Sequence, residues 1–299
     1  MRPYTNLPSS MTSILVFAVL KSALYSLLAL GFTLLFGVGG VLNLAHGALL
    51  MLSAYLAYTG FAVLSLPLYV SLIGGVLVTA LVAAALYRGV IGRIQHSSIL
   101  TLIVTLAVAL IAQETIALIF GASAQTMPSP APGVTALFGV TVPNVQLVAF
   151  VVAWLAIGGF WVFIERTRFG KAIRATAMDA KGAALVGIHA QQVFTWTWAL
   201  SGGLAGLAGV FFVYPGGLDP RMWVDPLVIA FAIVILGGLG SLKGSIIAAY
   251  LVGFVETLTF YAPQIDIPLG AQWVGVPSLI LTVLILIVRP QGLFGRPAT

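Results

Sequence analysis

From Ser22 through Tyr87 the chain runs for 66 residues without a single Asp, Glu, Lys or Arg. No water-facing surface can be built from such a stretch, because soluble domains hold about 25% of those residue types. At about 20 apolar residues per helical crossing of a bilayer, it accommodates two or three membrane spans. The remainder agrees, since 61% of the 299 residues are apolar and only 7% are charged. We therefore expect one all-α integral membrane domain over 1–299, a polytopic bundle of eight or nine helices solvated by lipid. Charge-poor runs place spans near 14–37, 42–63, 69–90, 98–120, 146–164, 194–214, 227–240, 245–261 and 274–288.

The net charge of +6 would suggest nucleic acid in a soluble chain, but in a multi-span protein excess Lys and Arg marks cytoplasmic loops. Arg88 and Arg93 follow the third span, and Arg166, Arg168, Lys171, Arg174 and Lys181 follow the fifth. Alternation brings Lys243, Arg289 and Arg296 to the same side, so ten of the 13 basic residues are cytoplasmic and the N-terminus is outside. Arg2 precedes the apolar run from Ile14 to Val38, which lacks a small-residue cleavage pattern and is expected to be a retained helix. Segment 121–144 then faces outward. Uncharged and carrying Pro128, Pro130, Pro132 and Pro143, it should be a rigid non-helical connection.

Glycines interrupt the apolar pattern in two places. Gly37, Gly39 and Gly40 precede Asn43-Leu44-Ala45-His46-Gly47, while Gly237, Gly238 and Gly240 precede Ser241, Lys243 and Gly244. Such density disfavours continuous helix, so a helix break is expected at each. Superposing Gly47 on Gly244 also brings Gly40 onto Gly237, a hint of the internal repeats found in transporter folds. Gly202, Gly203, Gly206 and Gly209 instead form a smooth helix face suited to tight packing.

Polar side chains at membrane depth need partners or a pathway to line. Asn43 and His46, three apart, would share a face if helical, and either bond backbone carbonyls freed at the break or line a pathway. Glu114 and Glu256 are the acids within expected spans and are candidates for the pathway or for interhelical hydrogen bonds. Lys21 and Lys243 can snorkel if they lie near span ends. There is no Cys, and His46, His96 and His189 show no ligand spacing, so neither a metal nor another cofactor is expected.

The cytoplasmic loop 165–193 is the strongest functional feature. As one continuous helix it would set Lys171, Arg174 and Lys181 against a face of Ile173, Ala177 and Ala184. Alternatively, Asp179 caps a short helix over 180–186 that Gly187 ends in the left-handed region. Either form is a short amphipathic element. The small residues Ala183 and Ala184 suit docking on a protein groove better than insertion into lipid.

The loop from Arg166-Thr-Arg-Phe-Gly170 through Asp179-Ala-Lys-Gly-Ala-Ala-Leu-Val-Gly187-Ile188 resembles the coupling loop of permeases of branched-chain amino acid ABC importers. The stretch Phe36-Gly37 to Gly47 is similar to that family's N-terminal motif, apart from Gly39-Gly40 and Leu42, and Leu236-Gly-Gly-Leu-Gly240-Ser241 with Gly244 is similar to its C-terminal glycine motif. All three occur in the family's order, and the chain looks like the shorter of the two paralogous permeases. The resemblance implies a multi-pass subunit of a prokaryotic cytoplasmic or inner membrane. Its implied partners are a paralogous permease, two cytoplasmic ATPase subunits and an extracytoplasmic binding protein. The implied ATPase contact is the 179–187 element, with Gly170, Asp179, Ala183, Ala184 and Gly187. The outer segment 121–144 and the Asp219-Arg221-Asp225 loop would face the binding protein, and Asn43, His46 and Gly47 would be pathway candidates.

Several activities are disfavoured by the residues themselves. Gly240-Ser-Leu-Lys-Gly244 has the wrong order for a phosphate-binding loop, so this chain should not hydrolyse ATP. The serine-elbow and zinc-helix motifs of hydrolases are missing too, and no catalytic residue is expected. Two alternatives stand beside branched-chain amino acid import. One keeps the same machinery for urea, amides, sugars or nucleosides, and the other is an ion-coupled carrier built on Glu114 and Glu256.

Overall fold

The computed structural model describes residues 7–265 and 271–295, so Arg2 and Arg296 lie outside the described residues. The first half comprises α1 (Leu7–Gly39), α2 (Ala45–Val63), α3 (Leu68–Ile94) and α4 (Ser98–Phe120). After a hairpin of β1 (Val134–Leu137) and β2 (Val140–Pro143) come α5 (Asn144–Arg166), α6 (Arg168–Met178), α7 (Ala180–Leu185) and α8 (Ala190–Gly216). The chain then forms α9 (Val224–Gly237), α10 (Leu242–Tyr261) and α11 (Val276–Val288). Among the described residues, seven helices are long and apolar enough to cross a bilayer, and α9 and α11 are shorter apolar helices. At 14 residues α9 rises only about 21 Å. The expected span at 227–240 is therefore too short to cross the hydrocarbon core alone.

The helices sort by burial. In α1 67% of the most apolar window is buried, against 22% in α3 and 17% in α4, which makes α1 central and leaves α3 and α4 at the periphery of the chain. Along its length α1 packs on α10 and α8, while α2, α3 and α8 all pack on one another. Lipid tails are as apolar as leucine, so contact here depends on close backbone approach rather than on escape from water. The glycine face of α8 supplies it. Gly202 meets Ala83 of α3, Gly206 meets Ser53 of α2, and Gly209 lies directly on the backbone of Leu50. In contrast, Gly158 and Gly159 of α5 have open space where a side chain would stand.

Both expected glycine breaks are present. The first leaves helix after Gly39, with Gly40 at φ +63, and re-enters at Ala45. The second turns through Gly238 and Gly240, at φ +99 and +82, before Ser241 caps α10 by accepting from the Gly244 amide at 3.1 Å. Gly37 packs against Gly240, so the two breaks adjoin. The Leu293 and Phe294 amides donate to the Leu236 and Gly237 carbonyls at 2.8 and 3.1 Å, completing the end of α9.

Segment 121–144 is non-helical before its last residue, which opens α5, but it contains a feature not expected from the prolines. Strands β1 and β2 pair antiparallel around Phe138-Gly139, whose φ values of +52 and +79 match a two-residue primed turn. Gln125 bridges to Leu218 through backbone bonds. The hydroxyls of Tyr58, Tyr69 and Tyr214 bond Gln125 Oε1 and the Pro130 and Pro128 carbonyls at 3.2, 2.7 and 3.2 Å. The end of α2, the start of α3 and the end of α8 thus share one membrane face, as alternation from the basic loops requires.

Substituting Gly209→Leu should prevent close packing of α8 on α2 and lower the melting temperature in detergent sharply, by about 3 kcal/mol or more of overpacking. Gly158→Ala, on an open face, should melt within about 1 kcal/mol of the native chain. Equal losses at both positions would contradict the packing account.

Candidate functional site

At the cytoplasmic end, Thr167 stops α5 and caps α6, its hydroxyl oxygen accepting from the Gly170 amide at 2.9 Å. Gly170 lies against the backbone of Phe163 and Ile164, where any side chain would collide. It acts by holding α6 close to α5 and is buried rather than offered to a partner. Helix α6 also touches α1 and α8. The alternative of one continuous helix over this loop is corrected by Asp179, which is extended at φ −155 and ψ 103. Its carboxylate accepts from the Lys181 amide at 2.9 Å and caps α7. Gly187, at φ +85, ends α7 with amide bonds from Gly187 to Ala184 and from Ile188 to Ala183, a Schellman closure.

The break at Asp179 changes which residues face outward. Ala183 is buried and Ala184 exposed, so the expected pair of small residues is divided. Leu185 is 89% exposed, and Val186 and Met178 also project. These three were missed in the sequence, where a leucine beside a cap reads as packing. Lys171, Arg174 and Lys181 are exposed as well, giving the element an apolar tip with a basic surround.

At the first glycine break, Asn43 precedes the helix and His46 lies in its first turn, so they do not share a helical face. Asn43 Oδ1 accepts from the Ala45 amide at 3.0 Å, while its amide nitrogen borders a water-sized cavity of about 20 Å³ without a partner. His46 is wholly buried. Its Nε2 lies 3.0 Å from the Leu28 carbonyl, and its Nδ1 lies 3.3 Å from Ser201 Oγ, which donates to the Gly31 carbonyl at 2.8 Å. A methyl at Gly31 would come within 2.9 Å of the imidazole. His46 therefore joins α1, α2 and α8, and the carbonyl it meets belongs to mid-helix rather than to the break. Gly47 lets α2 approach Trp223 and Leu227, where a Cβ would stand 2.7 Å from the Trp223 carbonyl.

The two acids occupy unlike settings and are not brought together. Glu114 is exposed and accepts from Gln113 Nε2 at 3.0 Å, and Gln113 Oε1 accepts from the Trp223 indole at 2.8 Å. Glu256 has no exposed surface. Its carboxylate meets the Lys21 ammonium at 2.8 Å and accepts from Tyr25 at 2.5 Å and Ser278 at 3.4 Å. Lys21 therefore does not snorkel to the span end. It is held there by its ion pair with the buried Glu256 carboxylate. Lys243, near the cytoplasmic end of α10, sits 5.5 Å from the Trp161 ring centre. Among the described residues, no group of three or more His, Asp or Glu is placed to hold a metal.

This arrangement of seven long spans, adjoining glycine breaks and a capped cytoplasmic element can be set against known proteins. A family profile described as branched-chain amino acid transport system, permease component, matches residues 14–288. The chain belongs to this family. The high-affinity branched-chain amino acid transport permease LivH of Escherichia coli K12 is 29% identical over 91% of the chain and 92% of its own length. BraD of Pseudomonas aeruginosa is 28% identical over 91% and 92%, and the probable LivH of Methanocaldococcus jannaschii 29% over 93% and 90%. No solved structure matches the chain. The permease is thus the membrane-spanning component of an ABC importer, a transport subunit and not an enzyme, with several spans in the cytoplasmic membrane.

The buried pair in the permease gives an asymmetric prediction. Lys21→Met strips the buried Glu256 of its cationic partner, and should cost about 3 kcal/mol, the low end for breaking a buried pair because Lys21 is 35% exposed. Glu256→Gln keeps one acceptor, for Tyr25, and presents its NH2 as a donor to the Ser278 hydroxyl oxygen, and should cost less than half as much. The double variant should recover most of the Lys21→Met loss. Thermal melts in detergent read all three, and a double variant as unstable as Lys21→Met would exclude the pair as the cause.

Proposed function

We propose that the permease carries branched-chain amino acids through a pair formed with a paralogous permease, driven by two cytoplasmic ATPase subunits and supplied by an extracytoplasmic binding protein. The observation that carries this reading is α7, a capped helix outside the long spans at whose end Leu185 and Val186 are exposed rather than packed. An exposed apolar tip rimmed by polar groups marks an interaction site, and the small, capped element suits a groove on a protein partner. Asp179 and Gly187 set its ends, and Ala184 belongs to its outward surface. Gly170 and the buried Ala183 act by positioning it.

ATP-driven closure of the ATPase pair would displace α7 and, through α6, the cytoplasmic ends of α1, α5 and α8. The permease halves would then rock between outward-open and inward-open states. In this reading His46, with Asn43 and Gly47, forms a contact that rocking remakes, and Gly37, Gly40, Gly237, Gly238 and Gly240 shape the breaks around it. The hairpin loop and the 219–225 turn, where Asp219 Oδ1 accepts from the Arg221 amide at 2.6 Å, offer the outer surface to the binding protein. Glu114 lies at the outer half of α4 on the same side. Glu256, already paired with Lys21, is poorly suited to serve as a free ion ligand.

Capture of a tagged permease after gentle extraction tests the ATPase contact. The native chain should bring down an ATPase and a second permease. Leu185→Asp with Val186→Asp should reduce ATPase recovery about tenfold or more, as expected for buried interface anchors, and retain the second permease. Undiminished ATPase recovery would remove α7 from the contact.

A further inference from the structure

Between the outer halves of α1, α5, α8 and α10 lies a cavity of about 300 Å³. That is the lower end of the size range for small-molecule pockets, about 300–1,000 Å³. Its wall is mostly aromatic and aliphatic, with Phe212 and Phe260 among the larger surfaces, and only a few polar groups interrupt it. Lys21 is one of them. Its ammonium has three donors, and the bond to Glu256 uses one while 35% of the side chain stays open. Glu256, fixed by Tyr25 and Ser278, holds that ammonium at the wall and does not itself line the cavity.

Acceptors lie at the same cavity. Pro215, inside the last turn of α8, has no amide hydrogen to give, so the Phe211 carbonyl lacks its usual donor four residues on. Both residues line the cavity, as does Gln146, whose side-chain amide has no hydrogen bond within the described chain. A cationic donor, unpaired acceptors and apolar walls together match one kind of solute. A sugar would leave most hydroxyls unbonded against these walls, and a simple carboxylate would add net charge to an already neutral pair.

We infer that this cavity is the permease's own site for its cargo and takes the zwitterion of an apolar amino acid, with the carboxylate on Lys21 and the side chain among the phenylalanines. This rests on the transport reading above and gives it a location. The ammonium of the solute is taken by the Phe211 carbonyl and the Gln146 side chain. Lys21 is the binding residue, and Glu256 is a positioning residue that keeps it in place.

The test uses the whole transporter, with both permeases, the ATPases and the binding protein, in proteoliposomes. A diazirine-bearing leucine analogue is supplied with ATP, irradiated, and mapped by mass spectrometry. Labelling should fall on α1 or α8 peptides that border the cavity and be suppressed by excess leucine. It should drop about tenfold or more, the loss of one charge-assisted hydrogen bond, in Lys21→Met with Glu256→Gln, which removes the donor without stranding a charge. Gln146→Trp, which fills the mouth and leaves the ion pair intact, should drop it similarly. Co-purification of the ATPases verifies that each variant is assembled. Labelling elsewhere, or at the cavity but insensitive to leucine as in a lipid-filled crevice, overturns the site while leucine import by the native transporter leaves the transport reading standing. Absence of leucine import by the native assembly defeats the cargo assignment and this site with it.

Discussion

A bilayer interior offers no water to a stranded amide or carbonyl, so wherever this chain leaves helical geometry it must supply the missing hydrogen bonds itself. The two glycine breaks show how this is met. At the first, Asn43 turns its side chain back to the Ala45 amide. At the second, Ser241 receives the Gly244 amide, while the returning segment at Leu293 and Phe294 donates to the last carbonyls of α9. The breaks adjoin at Gly37 and Gly240, while Gly39, Gly40 and Leu239 stay exposed at the cytoplasmic end.

The features legible in the sequence were those whose causes are local. Charge-free length announces a span, and a cluster of Lys and Arg announces a cytoplasmic loop. The spacing of Asp179 and Gly187 is enough to delimit α7, because a cap and a left-handed terminator act within a turn of their own positions. Lys21 and Glu256 are 235 positions apart, and nothing near either names the other. Lys21 accordingly resembled a snorkelling lysine. The outward face of α7 was hidden for a related reason: it depends on how far the extended Asp179 rotates one helix against the next.

Helical phase adds a further limit. Helix α2 ends in a π-helical turn, Thr59–Val63, and α3 contains one near its end, Tyr87–Ile91. Each wide turn advances the chain differently from regular helix, so a face projected from the start of either helix no longer describes its end. The cavity was illegible on similar grounds. It is assembled from four helices, and its positive charge reads as a defect until the buried carboxylate behind it is seen. The same two helices, α1 and α8, border the cavity at one end and α6 at the other, which ties the outer and cytoplasmic features to common rods.

The three tyrosine hydroxyls on the outer segment bear on how far those rods can separate. Tyr58, Tyr69 and Tyr214 come from three different helices and fasten to residues within a stretch of only six, Gln125 to Pro130. The segment is stiffened by its prolines and cannot stretch to follow one helix while staying with the others. It works as a drawstring across the outer face. Any separation of α2, α3 and α8 at this end must break one of these three specific hydroxyl bonds.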